Sequence, residues 1–138
     1  MKSRDLLLAI DNGTQSMKAL VFDVKGHLVA KQIVPFDPPY FSQHPGWAEQ
    51  HAHVFWQALC QACQGLWNEE GIGKERIAGV AVTTQRSTLF NMDKNGNPLR
   101  PAIHWLDQRK THGQTPVGGL WGLLFKLIRL SDTIAYFQ

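Results

Sequence analysis

Cysteine is scarce in this sequence, and long hydrophobic runs are missing from it. Two cysteines among 138 residues, Cys60 and Cys63, are too few for a disulfide-stabilised secreted scaffold. No stretch approaches the roughly 20 apolar residues that a membrane-spanning helix requires. The first apolar run stops at Asp11 and is too short for a signal peptide. We therefore expect a cytoplasmic protein with no membrane partner.

A concentrated patch of one charge is missing as well. The 14 Lys and Arg residues exceed the 11 Asp and Glu residues, which gives a formal net charge of +3. These basic residues are scattered from Lys2 to Arg129 with acidic residues among them, whereas a nucleic-acid surface normally shows a basic cluster or stripe. With 43% hydrophobic and 18% charged residues, the chain has the composition of a globular protein that does not bind nucleic acid.

The amino-terminal part of the sequence predicts three β-strands in antiparallel succession. Apolar, β-prone runs cover residues 6–10, 17–24 and 28–34. Asp-Asn-Gly-Thr at residues 11–14 supplies the first turn, and a second short connection contains Gly26. Prolines then forbid regular structure in a loop that ends with Pro-Gly-Trp-Ala-Glu-Gln at residues 45–50.

The remainder of the sequence adds a helix, a strand, a hairpin and a second helix. Helical spacing runs from Val54 to Leu66 and is stopped by Gly71, and an apolar run over residues 77–83 predicts a buried central strand. A hairpin follows over residues 89–105, with its proline-containing return arm at an edge. A loop over residues 113–119 precedes the second helical pattern, formed by Leu120, Leu123, Leu124, Leu127 and Ile128. The β-β-β-α-β order without a closing strand indicates the front part of a larger α/β domain.

The first turn contains the components of a phosphate site. Backbone N–H groups around Gly13 can form an anion nest, Thr14 and Ser16 add hydroxyl groups, and Lys18 adds a cation. The carboxylate of Asp11 can hold a hydrated Mg²⁺, which binds through one or two carboxylates together with phosphate oxygens. Asp-Asn-Gly is also ordinary turn chemistry, so the residues alone leave both interpretations open.

A second group of polar residues follows the predicted strand at residues 77–83. Ligands of α/β sheets tend to bind at the carboxyl ends of strands, and Gln85 and Arg86 lie there. An amide beside a guanidinium suits hydroxyl groups or carboxylates, and Trp105 could supply an aromatic wall. The alternatives are a solvated loop and a tryptophan in the core. Cys60 and Cys63 fall within the first helix and are interpreted as small buried hydrophobic residues, not as a metal or redox pair.

The order of these motifs resembles the amino-terminal portion of the FGGY carbohydrate kinases. The similarity covers Leu-Ala-Ile-Asp-Asn-Gly-Thr-Gln-Ser-Met-Lys at residues 8–18 and Gly-Trp-Ala-Glu-Gln at residues 46–50. It continues with Ile-Ala-Gly-Val-Ala-Val-Thr-Thr-Gln-Arg at residues 77–86 and with residues 93–109, which end in His-Trp-Leu-Asp-Gln-Arg. Each motif is weak by itself, but four motifs in the family's order and spacing are specific.

This resemblance implies an actin-like ATPase (ribonuclease H-like) fold, in which two α/β domains close on ATP and a sugar or polyol. Residues 1–138 would then be a partial first domain, without the second, adenosine-binding domain. The resemblance assigns the ATP phosphates and the water shell of Mg²⁺ to Asp11, Asn12, Gly13, Thr14 and Gln15. It brings Lys18 close to the transferred phosphate as the catalytic cation, and it assigns the sugar or polyol to Gln85, Arg86 and Trp105.

Departures from the family pattern set the limits of this interpretation. Glycerol kinases carry Arg-Glu and xylulokinases typically Met-His where this chain has Arg86-Ser87. The resemblance also places the catalytic base, an aspartate, in a motif later than Gln138. We therefore expect a truncated carbohydrate kinase whose isolated chain is inactive. A homo-oligomer is compatible with this expectation. The alternative is a non-catalytic remnant or interaction module that retains the fold.

Overall fold

The computed structural model describes residues 4–110 together with residues 119, 120, 123 and 124. Its elements, in chain order, are strands β1 (Leu6–Asn12), β2 (Ser16–Asp23), β3 (Leu28–Pro35) and β4 (Glu49–Gln50), helix α1 (Ala52–Trp67), a 3₁₀ turn (Lys74–Arg76), and strands β5 (Ile77–Thr84) and β6 (Ala102–Ile103). The chain divides into two compact units, and everything described below lies in the first, which ends at Gln108.

A four-stranded sheet in the order β3-β2-β1-β5 carries the fold. Strands β1, β2 and β3 are antiparallel neighbours, and β5 returns after α1 to pair with β1 in parallel. The predicted hairpin start and the β-β-β-α-β order are therefore confirmed, with the two-residue strands β4 and β6 added as a separate antiparallel pair. The parallel pairing brings the carboxyl ends of β1 and β5 to the same edge of the sheet.

The core lies between this sheet and α1. Alternating residues of β2, Met17, Ala19 and Val21, are buried against the helix. The helix contributes buried residues at helical spacing: Phe55, Ala58, Ala62 and Leu66. Cys60 and Cys63 are free and half-buried on α1, and burial raises the pKa of the Cys63 thiol. The raised pKa disfavours the reactive thiolate of Cys63, in agreement with the prediction of a small apolar residue there.

Strand β5 differs from its prediction. The sequence predicts a buried central strand there, but within the described residues β5 is an edge strand that pairs with β1 alone. The side chains of Val80 and Val82 are 61% and 67% exposed. An apolar run indicates that a strand is suited to burial, but it does not identify the element that would cover it.

The second hairpin forms only in part. Its turn closes with the Asp93 N–H donating to the Asn97 carbonyl at 2.9 Å, but the arms meet only in isolated bridges, Leu89 with Ile103 and Met92 with Pro98. Prolines in the return arm lack the N–H group that a continuous ladder needs, so β6 pairs with β4 instead. The predicted loop over residues 113–119 and the second helix lie largely outside the described residues. In the described part of the chain, no helix is long and apolar enough to cross a membrane.

Candidate active site

Three separate stretches of sequence meet at the carboxyl ends of β1 and β5. The Gln85 N–H, directly after β5, donates to the Asn12 carbonyl at the end of β1, at 2.8 Å. The indole N–H of Trp105, after β6, donates to the Thr14 hydroxyl at 3.1 Å. The structure therefore brings the predicted phosphate turn into direct contact with two of the predicted sugar residues.

Asp11 and Lys18 form an ion pair across the first hairpin. They are cross-strand partners on β1 and β2, and the Lys18 ammonium donates to the Asp11 carboxylate at 2.9 Å. Both side chains stay partly exposed, at 41% for Lys18 and 34% for Asp11, so a ligand can still reach them. The pairing places a carboxylate and a cation side by side at the mouth of the turn.

The turn itself departs from expectation at Gly13. Its backbone does not take the left-handed φ that favours glycine, and its N–H donates to the Ser16 carbonyl at 3.0 Å. A Cβ on Gly13 would stand 3.4 Å from that carbonyl oxygen, which is at the limit of ordinary van der Waals contact, so neither φ nor space requires glycine at this position. The Gln15 side chain is exposed, and the backbone carbonyl of Gln15 accepts from the Phe36 N–H at 2.8 Å.

The chemistry of this turn fits a hydrated magnesium ion. Asp11 offers one accessible carboxylate, and the side-chain oxygen of Asn12 is buried without a hydrogen-bond partner in the described part of the chain. Magnesium keeps several of its waters in proteins, and such waters donate hydrogen bonds to acceptors of this kind. No cluster of three or more His, Cys, Asp or Glu side chains that could enclose a bare ion occurs among the described residues.

The residues predicted to bind the sugar are more open to solvent. Arg86 is exposed, and Trp105 is 51% exposed although its indole N–H is held by Thr14. Directly after Arg86, Ser87 adopts a left-handed φ of 55°, a conformation that costs a non-glycine residue energy and recurs at binding sites. The indole held by Thr14 and the exposed guanidinium are both side chains suited to a ligand that carries several hydroxyl groups.

Trp105 owes its position to the segment at residues 46–50. The Ala48 N–H donates to the Asp107 carboxylate at 2.8 Å, and the Ala48 carbonyl accepts from the His104 N–H at 2.9 Å. Together with the β4–β6 pairing, these bonds fix the backbone on both sides of the indole. The Gly-Trp-Ala-Glu-Gln segment, which carried part of the family resemblance, therefore helps to position Trp105.

Sequence reasoning missed the buried polar residues of the site. Glu49, Gln50 and His104 are 7%, 3% and 1% exposed, and Gln50 accepts a hydrogen bond from the Gln85 amide at 3.1 Å. Polar residue types are normally exposed, so nothing in their spacing indicated burial. Their position in segments that match the family pattern was the one available signal.

His104 lies in an aromatic setting beneath the site. Its ring stacks on Tyr40 with centroids 5.7 Å apart, and its Nδ1 atom accepts from the Leu106 N–H at 3.2 Å. The neutral ring therefore carries its proton on Nε2, which is buried without a partner in the described part of the chain. Burial lowers the pKa of His104 because the charged imidazolium is poorly solvated there.

This lowered pKa predicts a pH-dependent stability. The unfolded chain, in which the imidazole titrates near 6.5, binds the proton more readily than the folded chain. Folding stability should therefore fall as the pH drops through 6.5 and level off below the lowered pKa of the folded state. Urea unfolding across this range should give a shallower pH dependence for His104→Phe, whereas the exposed control His53→Phe should keep the original slope. An unchanged slope in His104→Phe would contradict the assignment.

Comparison with known protein families supports the sequence resemblance. Residues 6–115 match the model of the amino-terminal domain of the FGGY family of carbohydrate kinases. Glycerol kinase 1 of Lactiplantibacillus plantarum is 41% identical over 100 residues, which cover 72% of this chain and 19% of that protein. The chain spans about a fifth of the length of the curated relatives it matches.

Solved structures agree with the fold. A xylulose kinase from Rhodospirillum rubrum superposes with a TM-score of 0.68 at 28% identity, over 75% of this chain and 21% of that one. A Plasmodium falciparum glycerol kinase, solved with ADP, gives a TM-score of 0.61 at 28% identity over the same share of this chain and 21% of its own. The predicted fold class, a partial first domain of an actin-like ATPase, is confirmed.

Proposed function

The chain belongs to the FGGY family of carbohydrate kinases, and on that premise we propose that it is the amino-terminal part of an enzyme that phosphorylates a sugar or polyol with ATP. The observation that carries the proposal is the contact between the two halves of the predicted site. Asn12 and Thr14 of the phosphate turn bond directly to Gln85 and Trp105 of the sugar wall. Phosphoryl transfer depends mainly on such positioning of donor and acceptor.

In this proposal the first turn receives the phosphates of ATP. Backbone and side-chain groups of residues 11–15 would face the phosphate oxygens, with Asp11 and Asn12 holding the magnesium ion through its waters. When bound, the ion neutralises negative charge that develops on the phosphoryl oxygens. Lys18, held beside Asp11 at 2.9 Å, would bring its ammonium to the transferred phosphate and act as the catalytic cation.

The substrate would bind against Gln85, Arg86 and Trp105. The indole presents an apolar face to the carbon chain, while the amide and the guanidinium reach its hydroxyl groups. Residues 1–138 would form part of the first domain, and the adenosine pocket and the base aspartate would come from elements that the longer relatives carry elsewhere. A homo-oligomer is compatible with this arrangement.

A hybrid enzyme tests the proposal. In this hybrid kinase, residues 6–108 of the chain replace the matching segment of the L. plantarum glycerol kinase. Ser87 stands where glycerol kinases carry an acidic acceptor, and a hydrogen bond to a charged group is worth about 1.5–3 kcal/mol. The KM for glycerol should therefore rise roughly ten- to a hundredfold over the parent enzyme, in favour of longer polyols. Ser87→Glu should reverse the change.

Arg86 provides a second test in the same hybrid kinase. Arg86→Ala should raise the KM for the preferred sugar or polyol about tenfold, the loss of one charged hydrogen bond, with a smaller effect on kcat. Arg100→Ala, another exposed arginine outside the site, is the matched control and should leave both constants unchanged. Unaltered sugar kinetics in Arg86→Ala would refute the assignment of the pocket.

A further inference from the structure

Two glutamines at the proposed sugar site, the buried Gln50 and the half-buried Gln85, fix each other's orientation. The Gln50 side-chain N–H₂ donates to the Pro39 carbonyl, and the Gln85 N–H₂ donates to the Gln50 side-chain oxygen at 3.1 Å. A backbone carbonyl can only accept, so it determines which end of the Gln50 amide faces Pro39. The side-chain oxygen of Gln50 must then face Gln85, and the Gln85 amide must donate an N–H to that oxygen.

This relay leaves Gln85 with an unused acceptor. Its side-chain oxygen is buried and has no hydrogen-bond partner among the residues the structure describes. A buried acceptor without a donor is destabilising, so native proteins almost always satisfy it. A freely rotating amide could present either its oxygen or its nitrogen to a ligand. The Gln85 amide is fixed by Gln50, which is fixed by the Pro39 carbonyl, so Gln85 presents its oxygen.

We infer that Gln50 is a positioning residue that makes Gln85 a hydrogen-bond acceptor, and that the site therefore takes a neutral sugar or polyol and discriminates against aldonates. A hydroxyl group can donate to the Gln85 oxygen, whereas an ionised carboxylate can only accept and would face it oxygen to oxygen. The inference rests on the proposed function, because it requires that Gln85 faces the substrate.

The charge of Arg86 makes this discrimination informative. An exposed guanidinium favours anions, so Arg86 alone would select an aldonate over a polyol. The oriented Gln85 amide predicts the opposite preference. The two residues are adjacent in sequence, and the measured selectivity shows which of them determines the preference between a polyol and an aldonate.

The first arm of the test measures the orientation, independently of any substrate. In the ¹⁵N-labelled 138-residue chain, the Gln85 side-chain N–H₂ protons should exchange with solvent slowly. In Gln50→Met they should exchange at least about tenfold faster, because their acceptor is gone. The control Gln32→Met removes a remote glutamine, bonded to Glu69 at 3.2 Å, and should change nothing at Gln85.

The second arm measures selectivity on the same chain with D-sorbitol and D-gluconate, which differ only in one terminal carbon group. Sorbitol should shift the Gln85 side-chain resonances with an affinity at least about tenfold higher than gluconate. The ratio should approach one in Gln50→Met.

The outcomes separate the inference from the proposed function. Equal or tighter binding of gluconate to the unaltered chain, or unchanged Gln85 exchange in Gln50→Met, would overturn the inference and leave the kinase proposal intact. If neither compound perturbs Gln85 while the exchange result holds, the sugar-site assignment itself is wrong and the inference falls with it.

Discussion

Replacing Asp11 with alanine in the hybrid kinase is expected to lower kcat about 100-fold or more, the usual cost of removing one preorganised charge-stabilising group. The Asp11 carboxylate has two tasks in the proposed mechanism. It holds a water of the magnesium ion, and it fixes the Lys18 ammonium at 2.9 Å beside the turn. Binding of the sugar, which lies against other residues, should change little. Steady-state kinetics with separate variation of ATP and polyol measures both effects.

Stability provides the internal control for this variant. An ion pair between two partly exposed side chains contributes only about 0–1 kcal/mol, so Asp11→Ala should unfold at nearly the original urea concentration. Glu70→Ala, which removes an exposed carboxylate in the turn after α1, should retain full activity. If Asp11→Ala keeps near-normal turnover, residues 11–14 are an ordinary turn and the phosphate assignment is wrong.

The isolated 138-residue chain is expected to show no sugar-dependent ATP turnover. The family resemblance places the base that orients the attacking hydroxyl, and the pocket for adenosine, in elements outside residues 1–138. Without them the chain can offer phosphate and sugar contacts but cannot complete the transfer. A coupled ADP-release assay across ketoses, polyols and aldonates measures this directly.

Sugar-dependent ATP turnover by the isolated chain would contradict the expectation that the base and the adenosine pocket lie outside residues 1–138. The hybrid kinase, assayed in parallel, shows whether the same segment supports turnover once the remaining elements are supplied. A hybrid that turns over beside an inactive chain supports a kinase segment. A folded hybrid that stays inactive supports the alternative of a non-catalytic module.

The parts of the fold that the sequence predicted depend on local patterns. Alternating residues such as Met17, Ala19 and Val21 reveal one buried face of β2, and the change to helical spacing reveals α1. Burial that depends on distant elements was harder to predict. The apolar residues of β5 resemble a central strand, yet Val82 is 67% exposed because no described element covers it.

The candidate site likewise contains residues that the sequence identified and residues that it did not. Recognisable motifs contain Asp11, Gln85 and Trp105, so these residues could be identified from the sequence. Gln50 could not, because its role arises from contacts between residues that are 11 and 35 positions apart in sequence. No periodicity encodes such a relay. Gly13 shows the converse: its residue type suggested a left-handed φ, which the structure does not use there.

Polyol-dependent ADP release by the hybrid kinase is the measurement that tests the kinase assignment most directly. Turnover is expected with at least one sugar or polyol, and Asp11→Ala introduced into the same hybrid should lower it about 100-fold. A folded hybrid with no turnover on any substrate, beside a fully active parent enzyme, would contradict it.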